Sequence, residues 1–350
     1  MVNQINHIAA LSIDDLRVDF TTEGGRVQAV RGVSLSVNPG ETLALVGESG
    51  CGKSVTMMSV MGLIPVPPGR IVSGSAMLNG REIIGMSPTE LNRVRGSEIS
   101  MIFQDPMSAL NPTMRIGDQI AETLMVHRGM ARGDALARAV QLLDRTRIPE
   151  AAQRARQYPF EFSGGMLQRA VIAMALACNP SVLIADEPTT ALDVTIQNQV
   201  LELMREIQRE EGMAIVLITH DLGVVARMAD QVAVMYAGQV VESGSVDDIF
   251  YRSAHPYTLG LKQSMPSVAE ADHAQLTPIA GSPPDLFAPP PGCGYCSRCS
   301  HAMQLCQSRQ PDLLSVDSGH ISRCWLQHEL SPVRQSDVYL KNAAEVHGND

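Results

Sequence analysis

The sequence contains 350 residues, carries a formal charge of −10 at pH 7 and is 45% apolar. This length allows about two domains, and the composition is that of a soluble globular protein. The acidic balance argues against a nucleic-acid-binding protein, which needs clustered lysine and arginine to neutralise phosphates. Because no run reaches the roughly 20 apolar residues that cross a bilayer and the N-terminus has no signal-peptide pattern, we expect a protein that stays in the cytosol.

The first part of the chain combines strand-like segments with one glycine-rich loop. Residues 11–46 place apolar side chains as strands do, and their last apolar run, Thr42–Val46, leads directly into the loop. The pattern becomes helical over residues 52–63 and strand-like again on both sides of Asn79 and Gly80, a dipeptide typical of a β-hairpin. The sequence therefore predicts a strand that enters a phosphate-binding turn, followed by a helix.

The middle of the chain, from about residue 106 to residue 178, repeats apolar residues with helical spacing. The segments with the clearest helical spacing are 116–127, 134–143 and, further along the chain, 195–210. Strand-like runs return at 182–185, 214–219 and 231–235. This alternation predicts an α/β fold with a parallel, doubly wound sheet and an inserted helical subdomain.

The composition changes after about residue 250, where prolines accumulate and five of the seven cysteines fall within 32 residues. A loop-rich tail of this kind needs a staple, such as a bound metal, to become ordered. In a cytosolic protein, clustered cysteines indicate a metal site before they indicate disulfides. We therefore expect one domain at 1–250, including the helical subdomain at about 106–178, and a small Cys-rich, loop-rich extension at 251–350.

The glycine-rich loop fits the pattern G-x-x-x-x-G-K-[ST] at a strand-to-helix junction. Its glycines allow backbone N–H groups to turn towards a phosphate, and the N-terminus of the following helix adds a positive dipole end. Lys53 is then expected to reach the β- and γ-phosphates, and the Ser54 hydroxyl to bind Mg²⁺. The predicted nucleotide-binding residues of the loop are Gly47, Glu48, Ser49, Gly50, Cys51, Gly52, Lys53 and Ser54.

Two carboxylates follow the apolar run at 182–185. Asp186 is expected to contribute to the Mg²⁺ shell, and Glu187 to orient and polarise an attacking water. Taken alone, the pair also fits solvated charges at a strand end, although less well than a catalytic role. The phosphate loop earlier in the chain favours nucleotide hydrolysis.

A third motif, Phe162-Ser163-Gly164-Gly165-Met166, completes with these two a set that resembles the ABC transporter ATPase family. Gln104 matches the glutamine of the family's Q-loop, Thr190-Ala191-Leu192-Asp193 matches its D-loop, and His220 matches its switch histidine. Phe20 is similar to the aromatic residue that stacks on adenine. The resemblance covers roughly residues 11–250 and implies a P-loop NTPase fold with an ABC-type ATPase core.

The same resemblance implies ATP hydrolysis by two ATPase domains that pack head to tail around two MgATP. It assigns catalysis to Glu187, His220 and Gln104. It assigns Mg²⁺ binding to Ser54, Gln104 and Asp186. It assigns further nucleotide contacts, some of them across the pair of domains, to Phe20, Gln104, Ser163, Gly164, Gly165, Asp186 and Asp193.

Several details are similar to the oligopeptide and dipeptide importer branch of that family, among them the segment His255-Pro256-Tyr257-Thr258 and the variant signature that begins Glu161-Phe162. This resemblance implies a subunit that drives peptide uptake from the cytoplasmic face of the bacterial inner membrane. The implied partners are a second, paralogous ATPase subunit, two integral-membrane permease subunits and an extracytoplasmic solute-binding protein. The sequence departs from the branch at Cys51, where serine is commoner, and at Leu167, where arginine is usual.

The tail cysteines Cys293, Cys299, Cys306 and Cys324 match the branch's spacing Cys-x5-Cys-x6-Cys-x17-Cys, which the resemblance associates with a [4Fe-4S] cluster. Four thiolates suit zinc equally well on softness grounds, and a tail without metal is a third interpretation. Cys296 is left over in this scheme.

Other functions share the core motifs. An ABC ATPase for another solute, such as nickel or a glutathione-like ligand, and an ATPase that powers export carry the same ATP site; the tail favours import. A soluble ABC ATPase that acts on ribosomes or DNA commonly has two ATPase units or a long coiled coil in one chain. Neither pattern is found in this sequence.

Overall fold

The computed structural model describes residues 8–190, 192–264 and 278–332. The strands are β1 (Leu11–Thr22), β2 (Gly25–Val37), β3 (Thr42–Val46), β4 (Gly69–Leu78), β5 (Arg81–Glu82), β6 (Ile99–Ile102), β7 (Val182–Asp186), β8 (Ala214–Ile218), β9 (Gln231–Tyr236), β10 (Gln239–Ser245), β11 (Leu314–Asp317) and β12 (His320–Ser322). They form two sheets, one of eight strands and one of four.

The helices are α1 (Lys53–Val60), α2 (Pro88–Val94), α3 (Pro106–Ala109), α4 (Ile116–Arg128), α5 (Arg132–Arg145), α6 (Ala151–Arg154), α7 (Gly164–Ala175), α8 (Val194–Glu211), α9 (Leu222–Met228), α10 (Val246–Tyr251), α11 (Pro256–Gln263) and α12 (Gln304–Ser308). Among the residues described, no helix combines the length and the apolar character that a membrane crossing requires.

The larger sheet has the strand order β11-β12-β10-β9-β3-β8-β7-β6. Strand β3 pairs in parallel with β8 and β9, and β7 pairs in parallel with β6 and β8. The predicted parallel α/β sheet is therefore confirmed. Beyond β9 the pairing becomes antiparallel, from β9 to β10 and on through β12 to β11.

The central strands β3, β7 and β8 are buried along their whole length, as expected for strands covered on both faces. Side chains at alternate positions of β7 pack into two different hydrophobic cores. Leu183 and Ala185 belong to the core shared with the helical layer, whereas Val182 and Ile184 belong to the core beneath the smaller sheet. The uniformly apolar run of β7 thus reflects two layers that pack on opposite faces.

The smaller sheet is antiparallel, with the order β2-β1-β4-β5. Strands β4 and β5 are joined at Asn79 and Gly80, whose φ angles are +49° and +79°. Two positive φ angles are what the favoured two-residue hairpin turn requires. The hairpin expected from this dipeptide is therefore present.

The segment between β6 and β7 is helical, as the sequence predicted. The two segments of clearest helical spacing form α4 and α5, which pack against each other and against α7. Their apolar faces share a core with α8 and with one face of the larger sheet. This layer places the start of α7 at the surface of the molecule, where Ser163 is exposed.

The extension after residue 250 contributes to the larger sheet, which the expectation of a loop-rich tail did not include. Strand β12 pairs with β10, and β11 pairs with β12. Beneath this junction the carboxylate of Glu242 is fully buried. Its Oε1 accepts the N–H of Ala254 at 2.5 Å and lies 2.8 Å from Nε2 of His320, and its Oε2 accepts the N–H of His255 at 3.0 Å. One carboxylate therefore joins β10, the start of α11 and β12.

Glu242→Ala is expected to lower the free energy of unfolding by about 2–4 kcal/mol, because two buried backbone N–H groups and one imidazole lose their partner. Equilibrium unfolding in urea measures the loss. Glu206→Ala, which breaks an exposed ion pair with Arg147, is the control and is expected to change the value by less than about 0.5 kcal/mol. Equal losses in the two variants would contradict the structural role of Glu242.

Candidate functional site

The phosphate loop lies between the end of β3 and the start of α1, and its path requires glycine at two positions. Gly47 has a φ of +148°, and a Cβ there would lie 2.2 Å from the carbonyl oxygen of Met235. Gly52 has a φ of +102°, and a Cβ there would lie 2.5 Å from the carbonyl oxygen of Ala29. Residues other than glycine rarely adopt these φ angles. A Cβ at either position would also collide with a backbone carbonyl oxygen that cannot move aside. The loop is therefore held in one narrow path.

Lys53 begins α1, and its side chain is buried against the loop. Its Nζ donates to the carbonyl oxygens of Gly47 at 2.8 Å and Glu48 at 3.0 Å. Burial raises the pKa of the neighbouring Cys51 thiol, although the ammonium of Lys53 opposes this effect. The arrangement fixes one cation inside the loop, where it can meet a phosphate anion.

Asp186 at the end of β7 lies beside the Ser54 hydroxyl in the first turn of α1. Burial raises the pKa of Asp186, and the hydrogen bond with Ser54 partly offsets this rise. Hydroxyl and carboxylate oxygens are the hard donors that Mg²⁺ prefers. These two side chains fit the Mg²⁺ role predicted for them, and the ion would neutralise charge on the β- and γ-phosphates.

Glu187 is the centre of a polar cluster that includes the other predicted catalytic residues. Its Oε2 accepts hydrogen bonds from Nε2 of Gln104 at 3.0 Å and from the hydroxyl of Thr190 at 2.9 Å. Its Oε1 lies 3.0 Å from Nδ1 of His220. The structure thus brings together Gln104, Glu187 and His220. Sequence reasoning placed Thr190 in a matching motif but did not identify it as a partner of Glu187.

The backbone of Glu187 is held in an unusual conformation. Its φ is +48°, and its N–H donates to the carbonyl oxygen of Ile218 at 2.8 Å. Non-glycine residues in this left-handed region are uncommon and are concentrated at functional sites. Burial would raise the pKa of the Glu187 carboxyl, but contacts with His220 and Thr190 outweigh it and hold the pKa below its usual value. Glu187 is therefore ionised at neutral pH and can accept a proton.

The signature segment and the D-loop each begin a helix, and the two helix starts touch. Ser163 caps α7 and Asp193 caps α8 through side-chain oxygens that accept backbone N–H groups. A Cβ on Gly165 would lie 2.8 Å from Cγ2 of Ile196, so α8 packs directly against the signature glycine. The D-loop residue Ala191 lies outside the described residues.

Three predicted nucleotide-contact residues stand apart from the Glu187 cluster. Phe20 lies in β1, half-buried against the core beneath the smaller sheet. Ser163 and Gly164 are exposed, and across the described ranges no hydrogen bond joins Ser163 to the phosphate loop. The signature is therefore accessible from outside the chain, as its predicted role towards a second chain requires.

The extension reaches the phosphate loop at Glu48, a contact that sequence reasoning missed. Arg298 binds the Glu48 carboxylate through two hydrogen bonds, Nη1 to Oε2 at 2.7 Å and Nη2 to Oε1 at 3.0 Å. The hydroxyl of Tyr257 accepts the backbone N–H of Glu48 at 2.9 Å. The sequence indicates this contact only indirectly. Tyr257 belongs to a segment that is typical of the branch, and Arg298 directly precedes Cys299.

The cysteines of the extension surround one small, enclosed cavity. Burial is the main cause that raises the pKa of the Cys293 thiol to about 11 and that of the Cys299 thiol to about 12, and neighbouring cysteines add to both shifts. Burial likewise raises the pKa of Cys324. The cysteines that line the cavity are Cys293, Cys296, Cys299, Cys306 and Cys324.

These cysteines do not form a closed site for one ion. In the parts of the chain that the structure covers, no group of three or more His, Cys, Asp or Glu side chains is placed to hold a single metal ion. Four sulfurs around one tetrahedral zinc stand about 3.8 Å apart, given a Zn–S bond of about 2.3 Å. The cysteines therefore line a shared cavity, but among the described residues they are not placed to hold a metal ion.

Two family models match different parts of the chain. The model described as ABC transporter matches residues 30–190, which include the phosphate loop, the signature segment and the Glu187 cluster except His220. The model described as the C-terminal region of oligopeptide/dipeptide transporters matches residues 241–306, which include Tyr257 and Arg298. The contact between the loop and the extension therefore joins the two matched regions.

Curated relatives resemble the chain over most of its length. The dipeptide transport ATP-binding protein DppD of Bacillus subtilis is 53% identical over 91% of this chain and 95% of its own. The oligopeptide transport ATP-binding protein OppD of Salmonella typhimurium is 50% identical over 90% of this chain and 93% of its own. Similarity of this extent includes the ATPase core and most of the extension.

Solved structures resemble the ATPase core. A dimeric ATP-binding cassette, MJ0796, in a post-hydrolysis state bound to ADP and Pi, matches with a TM-score of 0.61 and 25% identity. The match covers 67% of this chain and 98% of the other. The cassette fold is therefore present as one part of a longer chain.

Thr190→Val is expected to move the acidic limb of the pH profile of ATP hydrolysis to higher pH. The Thr190 hydroxyl is one of the contacts that lower the pKa of Glu187, so its loss raises that pKa. Glu187 accepts a proton only when ionised, and a higher pKa removes the ionised form earlier as pH falls. Values of kcat/KM measured from acidic to neutral pH test this.

The control is Thr113→Val, since the Thr113 hydroxyl bonds to Asn111 away from this cluster. The control should leave the acidic limb in place. An unchanged limb in Thr190→Val would contradict the predicted role of Glu187 as the proton acceptor.

Proposed function

Because this chain belongs to the ABC transporter family, whose ATP-binding subunits hydrolyse ATP, we propose that it drives an importer for di- or oligopeptides through MgATP binding and hydrolysis. One observation carries the proposal. The same chain combines the Glu187 cluster beside the phosphate loop with a C-terminal region of the oligopeptide/dipeptide transporter type. The names of the relatives, which are dipeptide and oligopeptide transport ATP-binding proteins, support peptides as the cargo.

Hydrolysis follows from the positions of the cluster residues. Glu187 accepts a proton from the water whose oxygen attacks the γ-phosphorus, and the bond to the β–γ bridging oxygen breaks as ADP leaves. Gln104 and His220 hold the carboxylate in place, while Lys53 and the loop N–H groups hold the phosphates. Ser54 and Asp186, with Gln104 as a further ligand, would hold Mg²⁺, which supplies positive charge to the phosphate oxygens. The site acts by positioning and charge, without a covalent intermediate.

A second ATPase chain is part of the proposal. Ser163, Gly164 and Gly165 would contact the γ-phosphate held by that chain, in a head-to-tail pair around two MgATP. The exposure of the signature supports this, as does that of Val194, which directly follows Asp193 and is 73% exposed. The similar cassette structure is dimeric as well. By resemblance to the peptide-importer branch, the partner is a paralogous subunit rather than a second copy.

The remaining partners are two membrane permease subunits and an extracytoplasmic solute-binding protein. The chain would bind the permeases at the cytoplasmic face of the inner membrane as a peripheral subunit. In such systems the binding protein and the permeases select the solute. Nickel or a glutathione-like ligand is therefore the alternative cargo, and export is a further alternative that the C-terminal region disfavours.

We also propose that the extension holds a [4Fe-4S] cluster through Cys293, Cys299, Cys306 and Cys324. Their convergence on one enclosed cavity supports a shared group, and thiolates are the ligands that iron–sulfur clusters use. The role of the cluster would be structural, because it clips distant parts of a Pro-rich segment together.

Glu187→Gln is expected to lower ATP hydrolysis about a hundredfold or more, because the amide cannot accept the proton from water. In vesicles that contain the permeases, the partner ATPase and the binding protein, the wild type should take up labelled peptide. The variant should bind ATP, stay as a closed pair on size-exclusion chromatography and take up none.

Glu206→Gln, an exposed change remote from the site, is the matched control and should keep both activities. Wild-type turnover in Glu187→Gln would disprove the role of this carboxylate. Uptake of nickel chelates or a glutathione-like ligand instead of peptides would leave the ATPase assignment standing and disprove the cargo.

Anaerobic purification is expected to yield about four irons and four sulfides per chain, with the absorption of an iron–sulfur cluster. Cys299→Ser should lose them, whereas Cys178→Ser, a buried cysteine of the helical subdomain, should keep them. Elemental analysis of the three proteins measures the difference. One zinc per chain, or no metal, would contradict the cluster.

A further inference from the structure

The guanidinium group of Arg298 donates hydrogen bonds from all three of its nitrogens beside the phosphate loop. Its Nη1 donates to Oε2 of Glu48 at 2.7 Å and to the hydroxyl of Tyr236 at 3.2 Å. Its Nη2 donates to Oε1 of Glu48 at 3.0 Å and to the carbonyl oxygen of Ile279 at 3.2 Å. Its Nε donates to the carbonyl oxygen of Ala280 at 3.0 Å. A guanidinium has five N–H groups, so every one is engaged.

The surroundings of Arg298 make this geometry rigid. The side chain is only 4% exposed, and the guanidinium lies 5.8 Å from the ring centroid of Tyr236 and 5.9 Å from that of Tyr295. Two carbonyl oxygens of the extension and two aromatic rings therefore fix the cation before it meets Glu48. A planar fork held in this way gives bidentate recognition of a carboxylate, which a lysine cannot provide.

Glu48 is attached both to the extension and to the lysine of its own loop. Arg298 binds its side chain, the Tyr257 hydroxyl accepts its N–H at 2.9 Å, and Nζ of Lys53 donates to its carbonyl oxygen at 3.0 Å. Lys53 is also the cation expected to bind the phosphates. A displacement of Glu48 would therefore change the position of Lys53.

We propose that Arg298 is a positioning residue for the phosphate loop, holding Glu48 from the extension and neutralising its charge beside the phosphate site. This rests on the proposed ATP site. Without Arg298, an unpaired carboxylate would stand beside the incoming phosphates, and the first part of the loop would lose its lateral support. Since Arg298 does not touch the Glu187 cluster, its loss should weaken ATP binding and spare the hydrolytic step.

Arg323 offers a matched control within the same extension. It directly precedes Cys324, as Arg298 directly precedes Cys299. Its Nε donates to the carbonyl oxygen of Val240 at 3.2 Å and its Nη1 to that of Pro311 at 3.2 Å, so it ties the extension to β10. Removing Arg323 therefore disturbs the extension beside a second cysteine without releasing Glu48.

The test measures the dissociation constant of MgATP and the KM and kcat of ATP hydrolysis for the full-length chain with its partners. Arg298→Gln is expected to raise the dissociation constant and KM about tenfold or more, as expected when one partner of a largely buried, bidentate ion pair is removed. Its kcat should stay within about threefold. Arg323→Gln should leave all three values at those of the wild type. Glu48→Gln combined with Arg298→Gln should bind MgATP more tightly than Arg298→Gln alone, because no carboxylate remains unpaired.

Unchanged MgATP affinity in Arg298→Gln, or equal losses in Arg298→Gln and Arg323→Gln, would overturn the proposal. If Arg298→Gln does not fold, Arg298→Lys replaces it, since lysine keeps the charge and loses the fork. A severalfold loss of affinity in Arg298→Lys supports positioning, and wild-type affinity overturns it. A wild-type chain that fails to bind MgATP would contradict the proposed function instead, which separates the two failures.

Discussion

The parallel register of β3, β6, β7 and β8 is the constraint on which the site depends. Leu45 and Asp186 both pair with Ile218, and Ile102 pairs with Ala185, so the four strands end at nearly the same level. The segments that follow them therefore emerge side by side, where open α/β sheets bind their ligands. Those segments carry the phosphate loop, Gln104, Glu187 and His220. A slip of one residue in any pair would turn apolar side chains from one core to the other and separate these groups.

Asp186 and Glu187 are neighbours in sequence, but their surroundings shift the pKa values of their carboxyl groups in opposite directions. Burial raises the pKa of Asp186, whereas His220 and Thr190 outweigh burial and lower the pKa of Glu187. The buried carboxylate of Asp186 is stabilised most by a nearby cation, because burial disfavours its charge. The hydrogen-bonded, partly exposed carboxylate of Glu187 can exchange protons with water. The strand β7 and the left-handed turn at Glu187 create this division, because they point the two side chains into different surroundings.

The sequence was sufficient to predict features that depend on local patterns. The strand before the loop, the helices α4 and α5 and the hairpin at Asn79 all have periodicity or turn residues that identify them. The contacts of Glu48 with Tyr257 and Arg298 join residues 209 and 250 positions apart, and no local pattern encodes such pairings. Strands β11 and β12 also escaped prediction, since they are only four and three residues long and pair with a distant strand. The positive φ of Glu187 could not be predicted from the sequence either, because glutamate does not favour this backbone conformation.

The pairing of β12 with β10 affects the behaviour of the ATPase core towards other copies of itself. Without β12, the outer side of β10 would present unpaired N–H and C=O groups, with the buried carboxylate of Glu242 beneath them. An uncovered strand of this kind is a template for intermolecular pairing and aggregation. A fragment that ends at the compositional boundary near residue 250 would therefore be prone to aggregate through the exposed edge of β10. The extension therefore also covers one side of β10, because β12 pairs with it there.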